Sequence, residues 1–335
     1  MLVAVLLFAL GLVLLIKGGD WFVDGATGVA HRFHIPEILI GATVVSIGTT
    51  LPEVMVSATS AVTGHGEIAY GNAIGSIICN TALIAALTVA VRPTATDKKS
   101  LRIPVLFFFS SMVLYSFSAY VLGEFPRYIG VILLAVFVGY IVLSVISAKK
   151  HPELAAEEPE EETEAKPSLL DKIFSFPHGD LVKDILLLAV GAALIAVGAD
   201  LLVDNGTVIA TELGVPESVI ALTFVALGTS LPELVTAVTA LIKGHSSLSL
   251  GNIVGANLFN LVLVGGVAVT LNPFVVPASK LIGGLNASLL IDIPLAALVM
   301  AILTVPALIR GKLSRAQGIV LLCLYTGFIA FQFIA

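Results

Sequence analysis

The chain carries the segment GTTLPE at residues 48–53 and nearly repeats it, as GTSLPE, at residues 228–233. Further residues recur at the same offset of 180 positions; they are Asp20 and Asp200, Asp24 and Asp204, Pro36 and Pro216, Glu37 and Glu217, Gly71 and Gly251, Asn72 and Asn252, and Asn80 and Asn260. Each copy places a glutamate, Glu53 or Glu233, among apolar residues. A charge at the centre of a bilayer costs about 2.5–3.5 kcal/mol on insertion scales. An internal duplication with one such acid in each half is typical of membrane transporters that bind their substrate between two repeats.

The composition indicates a membrane protein along the whole chain. Apolar residues make up 58% of its 335 residues and charged residues only 12%, whereas soluble domains carry about 25% charged residues. Ten apolar stretches are long enough, or nearly so, to cross about 30 Å of hydrocarbon; they lie near residues 2–18, 37–63, 68–91, 103–122, 128–148, 182–203, 217–242, 247–271, 285–309 and 316–334. Strands of a membrane barrel would be about half as long and would alternate. The sequence therefore predicts an all-α integral membrane protein with ten transmembrane helices.

The basic residues predict the orientation of these helices. With the loops numbered in chain order, every Lys and Arg except Arg127 and Lys280 falls in or beside an odd-numbered loop. Because cytoplasmic loops carry the excess of basic residues, we expect the odd loops in the cytoplasm and both termini outside the cell membrane. Each repeat holds five spans, an odd number, so the second repeat enters from the opposite side and the two repeats are inverted. This symmetry brings Glu53 and Glu233 together.

The pattern divides the chain into three regions. Residues 1–148 form the first five-helix repeat, residues 149–180 an acidic linker, and residues 181–335 the second five-helix repeat. The acidic run at residues 157–164 predicts a solvated cytoplasmic connector. A Ca²⁺-sensing role is the alternative, although the linker lacks the spaced ligands of an EF-hand loop.

The proline of each motif should disturb its helix. Pro52 lacks an N–H group and its ring clashes with the carbonyl of Gly48, four residues earlier, and Pro232 repeats this relation. We therefore expect each helix to bend or open at this turn. Backbone carbonyls freed near Ser46 and Thr49, and near their counterparts Ala226 and Thr229, would be unsatisfied in hydrocarbon. A bound cation can satisfy them.

Side-chain oxygens converge on the same turn. Thr49 and Thr50 lie four and three residues before Glu53, so they share its helix face. Ser76 and Asn80 are likewise four residues apart on the following span. The second copy supplies Thr229, Ser230, Glu233 and Asn260. Hydroxyl, amide, carbonyl and carboxylate oxygens without sulfur or imidazole favour a hard cation such as Ca²⁺ or Na⁺.

The charge of the two glutamates suggests how two ions could be coupled. A formal charge of −2 matches one Ca²⁺ or a pair of Na⁺, so the two kinds of ion would compete for the same carboxylates, which is a physical basis for exchange. The alternative for Glu53 and Glu233 is a pair of protonated, hydrogen-bonded acids that only stabilise packing.

Several other repeated residues have simpler interpretations. Gly71 and Gly75, with Gly251 and Gly255, have the small-xxx-small spacing of tightly packed helices. Asn72 and Asn252 either contribute to the site or only bond freed backbone groups. The four repeated aspartates lie near span ends and should be interfacial or capping groups. Cys79 and Cys323 lie within apolar spans, where a core-packing role is expected.

The two motifs, with GNAIGS at residues 71–76 and GNIVGA at residues 251–256, resemble the α-repeats of the sodium/calcium exchanger family, within the cation/Ca²⁺ antiporter superfamily. The resemblance covers essentially the whole chain apart from the linker and suggests a compact prokaryotic member. It implies a ten-helix antiporter that exchanges Na⁺ for Ca²⁺ by alternating access. It also implies an ion-ligand set, which consists of Ser46 and Ala226 through their carbonyls, and of Thr49, Thr50, Glu53, Ser76, Asn80, Thr229, Ser230, Glu233 and Asn260.

Two departures from the family pattern bear on the transported ions. Ala256 stands where Ser76 and the family pattern have a hydroxyl, so one flanking Na⁺ site loses a ligand. Asn260 stands where some relatives, including potassium-dependent ones, carry aspartate, so we expect no K⁺ requirement. The expected partners are Ca²⁺, Na⁺ and the lipid bilayer. The sequence predicts no enzymatic activity, no cofactor apart from the transported ions, no nucleic acid and no identifiable protein partner.

Other functions remain open from the sequence alone. An H⁺-coupled exchanger of Ca²⁺ or another divalent cation would use the same glutamates. A channel would share the ligands but conduct without a counter-ion. An intramembrane hydrolase with paired acids is disfavoured by the proline-broken, hydroxyl-rich and mirrored surroundings of Glu53 and Glu233.

Overall fold

The structure is a computed structural model that describes residues 2–93, 95–150, 181–213, 228–278, 281–282 and 284–334. Its helices are α1 Leu2–Phe33, α2 Glu37–Val62, α3 Gly66–Val91, α4 Lys98–Leu122, α5 Arg127–Lys150, α6 Leu181–Glu212, α7 Leu231–Ile242, α8 Ser246–Leu271, α9 Ser288–Arg310 and α10 Arg315–Ile334. Within the described ranges, all of these except α7 are long and apolar enough to cross a membrane. Part of the predicted seventh span, and most of the acidic linker, lie outside those ranges. The predicted all-α membrane fold is confirmed.

Helices α1 and α6 pack against each other over most of their length, in antiparallel directions. A Cβ atom placed on Gly18 would lie 2.9 Å from the carbonyl oxygen of Gly191, and Gly11 meets Gly198 at the same distance. These contacts between glycines bring the two backbones together. The antiparallel pairing of the first helix of each repeat is the relation that inversion requires.

The first helix is longer than predicted. The apolar stretch suggested an end near residue 18, but α1 continues through Lys17, Asp20 and Asp24 to Phe33. The charges did not end the helix because they find partners there: Lys17 pairs with Asp20, and Lys243 pairs with both aspartates.

Loop contacts divide the molecule into two faces. The loops after α1, α3, α7 and α9 form the odd face, where Ala95 bridges to Lys312 and the Lys98 ammonium donates to the Ile309 carbonyl at 2.7 Å. The loops after α2, α4 and α8 form the even face, where strand β1 (Glu124–Phe125) pairs antiparallel with β2 (Phe274–Val275). A small hairpin of β3 (Leu281–Ile282) and β4 (Leu285–Asn286) follows. The two repeats therefore share each face.

Several helices widen into a π turn. The π segments are Gly41–Val45 in α2, Asn80–Ala85 in α3, Ser118–Leu122 in α4, Asn260–Val264 in α8 and Ser288–Asp292 in α9. Asn80 and Asn260 each begin such a segment at the same point of their repeat. π turns inside α-helices are frequent at functional sites, and here they present two predicted ligands.

Candidate cation site

Glu53 of α2 and Glu233 of α7 lie together in the centre of the protein. Both side chains are 0% exposed, and their charges are close enough to interact. Among the described residues, none of their four carboxyl oxygens has a hydrogen-bond partner. An unpaired buried carboxylate is strongly unfavourable, so this pair needs a bound cation or proton.

Neutral oxygens from both repeats accompany the carboxyl groups. The buried side chains of Thr50, Asn80, Ser230 and Asn260 each carry an oxygen without a hydrogen-bond partner among the described residues. Helix α2 contacts the π segment of Asn260, and α7 contacts the π segment of Asn80. Each motif helix therefore meets the π segment of the opposite repeat that begins at the repeated asparagine. Such a set of unpaired oxygens has the chemistry of a hard-cation site.

Thr49 and Ser46 are held by α8. The Thr49 hydroxyl donates to Asn252 Oδ1 at 3.2 Å, and the single hydrogen of the Ser46 hydroxyl is shared between the carbonyls of Asn252 at 2.9 Å and Gly41 at 2.7 Å. Because these hydroxyls use their hydrogens here, their lone pairs remain available. The hydroxyls of Thr49 and Thr50 also lie close to the carboxyl group of Glu233.

For the remaining predicted ligands within the described residues, the structure gives burial and position in the fold but no hydrogen-bond partners. Ser76 is buried on α3, one turn before Asn80, and Thr229 is half-buried in the turn that precedes α7. Ala226 lies outside the described residues. The structure thus gathers Glu53, Glu233 and their neighbours, while the proposed carbonyl ligand of the second copy has no described position.

The two prolines act differently from the expectation. Helix α2 continues without interruption through Pro52, whereas α7 begins at Leu231, directly before Pro232 and after a turn at Thr229–Ser230. The predicted opening is therefore seen in the second copy alone. In the first copy α2 widens two turns earlier, at Gly41–Val45, where the Ser46 hydroxyl bonds the Gly41 carbonyl.

The two repeated asparagines make different contacts. Asn72 donates through Nδ2 to the backbone carbonyl of Glu53 at 3.1 Å and to the Ser57 hydroxyl at 2.9 Å, both within its own repeat. Asn252 instead accepts from Ser46 and Thr49 of the other repeat. The interpretation that these residues bond backbone groups fits Asn72. Sequence reasoning missed the cross-repeat contact of Asn252, for which the identical motifs carry no signal.

The glycines also differ between copies. A Cβ on Gly251 would lie 2.2 Å from the Ile38 carbonyl oxygen, and one on Gly255 would lie 2.4 Å from the Ser46 hydroxyl oxygen. Gly71 is exposed, and a Cβ there would meet no described atom within 4 Å; the same space surrounds Gly75. Tight packing was expected of both pairs and is wrong for the first pair in this arrangement.

Two further predictions concern aspartates and cysteines. Asp20 and Asp24 hold Lys243, whose ammonium lies 2.7 Å from Asp24 Oδ1, and this fits an interfacial role. Cys79 is buried as expected, but its thiol lies near Ser230 and within electrostatic range of both glutamates, so it borders the site. No group of three His, Cys, Asp or Glu side chains within the described ranges is arranged to hold a metal ion. The donor set therefore rests on two carboxylates and neutral oxygens.

Comparison with known proteins agrees with this geometry. The family model of "Sodium/calcium exchanger protein" matches residues 3–146 and 183–334. The chain is 30% identical to the sodium/calcium exchanger MaX1 of Methanosarcina acetivorans, with 98% of each chain covered. It is 34% identical to the inner membrane protein YrbG of Escherichia coli over 82% of this chain and 81% of that protein. A solved structure of the sodium-calcium exchanger NCX_Mj, soaked with Na⁺ and Ca²⁺, superposes with a TM-score of 0.77 at 30% identity and 98% coverage of both chains.

Proposed function

The chain belongs to the sodium/calcium exchanger family of cation/Ca²⁺ antiporters, and we propose that it exchanges Na⁺ for Ca²⁺ across the cell membrane by alternating access. The observation that carries this proposal is the pair of buried, unpaired carboxyl groups of Glu53 and Glu233. One acid comes from each repeat, so an ion bound between them contacts both halves of the protein. A movement of one repeat against the other then changes the access of the ion without moving its ligands far apart.

Competition for the two glutamates couples the ions. One Ca²⁺ neutralises both carboxylates, and Na⁺ ions must do the same before the site can return across the barrier between its two accessible states. An unliganded pair of buried carboxylates is too unfavourable for that crossing. In this proposal the ligands are Thr49, Thr50, Glu53, Ser76, Asn80, Thr229, Ser230, Glu233 and Asn260, with the carbonyls of Ser46 and Ala226.

The ion selectivity follows from the uncharged neighbours of the glutamates. Asn260 adds no third negative charge, so we propose no K⁺ requirement. If the charges moved in the two directions are unequal, each unbalanced charge responds to the membrane potential by about 2.3 kcal/mol per 100 mV. The odd face, with the acidic linker of residues 149–180 between the two five-helix repeats, is proposed to be cytoplasmic.

The test is ⁴⁵Ca²⁺ uptake into proteoliposomes loaded with Na⁺, compared with vesicles loaded with K⁺ or choline. We expect uptake only with the outward Na⁺ gradient, and loss of uptake in Glu53→Gln and in Glu233→Gln. Glu67→Gln is the matched control, because Glu67 is exposed at the start of α3.

A second set of vesicles separates the alternatives. Ca²⁺ uptake driven by a pH gradient in the absence of Na⁺ would replace Na⁺ by H⁺ as the coupled ion. Uptake that needs no gradient of either ion would indicate a channel. Wild-type uptake in either Gln variant would remove the proposed site.

A further inference from the structure

The two copies of the motif occupy different environments in this structure. Helix α8 lies against α2 near the odd face, with its Gly251 and Gly255 in close contact with Ile38 and Ser46. The corresponding surface of α3, at Gly71, is exposed near the even face. Among the described residues, α8 is therefore packed against α2 near the odd face, and the glycines of α3 have no equivalent contact near the even face.

We propose that serines found only in the first repeat make this arrangement, with α8 packed against α2, more stable than the one in which the repeats exchange roles. The serines are Ser46 and Ser57, and the residues that bond them are the repeat-related pair Asn252 and Asn72. The proposal concerns the balance between two arrangements of the protein. It therefore does not depend on which ions are exchanged.

The argument begins with the symmetry of inverted repeats. In such transporters the two accessible arrangements are related by exchanging the conformations of the two repeats. After the exchange, Asn252 would take up the contacts that Asn72 makes here, with the carbonyl of Glu233 and the side chain of residue 237. Asn72 would take up those of Asn252, with residues 226 and 229.

The sequence is not symmetric at the positions that matter. Residue 237, the counterpart of Ser57, is alanine, and residue 226, the counterpart of Ser46, is also alanine. Neither has a hydroxyl group. The hydrogen bond of 2.9 Å between Asn72 Nδ2 and Ser57 Oγ, and that of 2.9 Å from Ser46 Oγ to Asn252, therefore have no equivalent in the exchanged arrangement.

An ion pair at the odd face points the same way. Lys243 donates to the Asp20 carbonyl at 3.0 Å and to Asp24 Oδ1 at 2.7 Å, which ties the loop after α7 to α1. Its counterpart at the even face is Thr63, which cannot form an ion pair with the repeated aspartates. Those aspartates, Asp200 and Asp204, are exposed.

The experiment measures amide hydrogen exchange of the detergent-solubilised full chain by mass spectrometry, in the absence of Ca²⁺. The two repeat-related segments compared are residues 66–76 of α3 and residues 246–256 of α8. In the wild type we expect faster exchange in the α3 segment, because its glycines pack against no other described helix. Ser57→Ala removes a hydrogen bond from this arrangement alone, so it should shift the ratio of the two exchange rates toward α8 by roughly twofold to tenfold.

The exchanged pair of substitutions gives the sharper test. Ser57→Ala combined with Ala237→Ser moves the hydroxyl to the other repeat, and it should shift the ratio further in the same direction. Ser111→Ala is the control, since Ser111 is a buried serine of α4 whose hydroxyl has no hydrogen-bond partner among the described residues. A substitution that merely loosens the protein would speed exchange in both segments and leave their ratio unchanged.

The outcomes separate cleanly. An unchanged ratio in folded Ser57→Ala, or an equal shift in Ser111→Ala, would overturn the proposal. If the doubly substituted protein does not fold, Ser57→Ala alone still decides. If the wild-type protein shows the expected hydrogen-exchange ratio but transports no Ca²⁺, the result counts against the proposed function and not against this conformational preference.

Discussion

The two repeats carry nearly the same motif, yet their helices differ in packing and in where they begin. In the second repeat α8 is buried over Leu248–Phe259 and packs through its glycines, whereas α3 exposes Gly71 at the corresponding position. Helix α2 passes through Pro52, whereas α7 starts beside Pro232. The difference teaches that nearly identical motifs can occupy two different environments within one arrangement of the protein.

The largest effect should come from the residues in which the repeats agree. Replacing Glu53 or Glu233 by Gln removes half the charge of the site and should weaken Ca²⁺ binding roughly 100-fold or more, since ligand charge sets Ca²⁺ affinity over orders of magnitude. The measurement is the number of Ca²⁺ bound per chain in detergent, by equilibrium dialysis. If the two glutamates form one shared site, either variant should lose the bound Ca²⁺. A variant that keeps half of the bound Ca²⁺ would instead show that each repeat has a separate site.

The glycines should respond unequally. Gly251→Ala forces a Cβ to within 2.2 Å of the Ile38 carbonyl oxygen, and such overpacking costs about 1–3 kcal/mol. Gly71→Ala meets no described atom within 4 Å, and because Ala favours a helix over Gly it should leave the melting temperature unchanged or slightly raise it. Thermal unfolding in detergent compares the two. Equal melting temperatures would show that the packing difference between α3 and α8 has no energetic weight.

A functional measurement sharpens the same comparison. If α3 packs closely in the exchanged arrangement, Gly71→Ala should slow Ca²⁺ transport although it does not lower stability. Normal transport rates in Gly71→Ala would contradict close packing of α3 at any stage of the cycle.

A smaller effect is expected at Ser76 and Ala256, where the repeats differ in one hydroxyl. Ser76→Ala should raise the Na⁺ concentration needed for half-maximal exchange, and Ala256→Ser should lower it, each by about twofold to tenfold for one hydrogen-bonding or ligating oxygen. The measurement is Na⁺-dependent Ca²⁺ flux in proteoliposomes. An unchanged Na⁺ requirement in Ala256→Ser would show that position 256 faces away from the ions.

The smallest effect should come from the ion pair at the odd face. Lys243 is partly exposed, so Lys243→Met should lower the free energy of unfolding by only about 0.2–1 kcal/mol. The wild-type melting temperature should fall with added salt more than that of the variant. Asp204→Asn is the matched control at an exposed aspartate, and a comparable loss there would remove the distinction between the faces.

Much of this architecture could be predicted from the sequence. The hydropathy of the spans predicted an all-helical membrane protein, and the offset of 180 residues predicted the meeting of Glu53 with Glu233. Both predictions were possible because they depend on patterns that are visible in the sequence itself. The end of α1 could not be found in this way. The helix continues past the apolar stretch through Asp20 and Asp24, whose partner Lys243 lies more than 200 residues away along the chain.

The differences between the copies were the least predictable feature. Asn72 and Asn252 stand in matching motifs and were given the same interpretation, as were Gly71 and Gly251. A repeated motif contains no information about which copy is packed and which is open, since that is a property of one arrangement of the whole protein. The clue lay outside the motif, in single positions such as Ser57 and Ala237 where the symmetry of the sequence fails.

The lengths of α1 and α6 have a consequence for the membrane around the protein. Each contains 32 residues, which at 1.5 Å per residue gives about 48 Å, against about 30 Å of hydrocarbon. The two helices must lean well away from the bilayer normal or extend beyond the hydrocarbon, and their glycine contacts make them lean as a pair. Lipids with longer acyl chains favour a more upright helix, at fractions of a kcal/mol per Å of mismatch. The thickness of the surrounding bilayer should therefore influence the tilt of this helix pair.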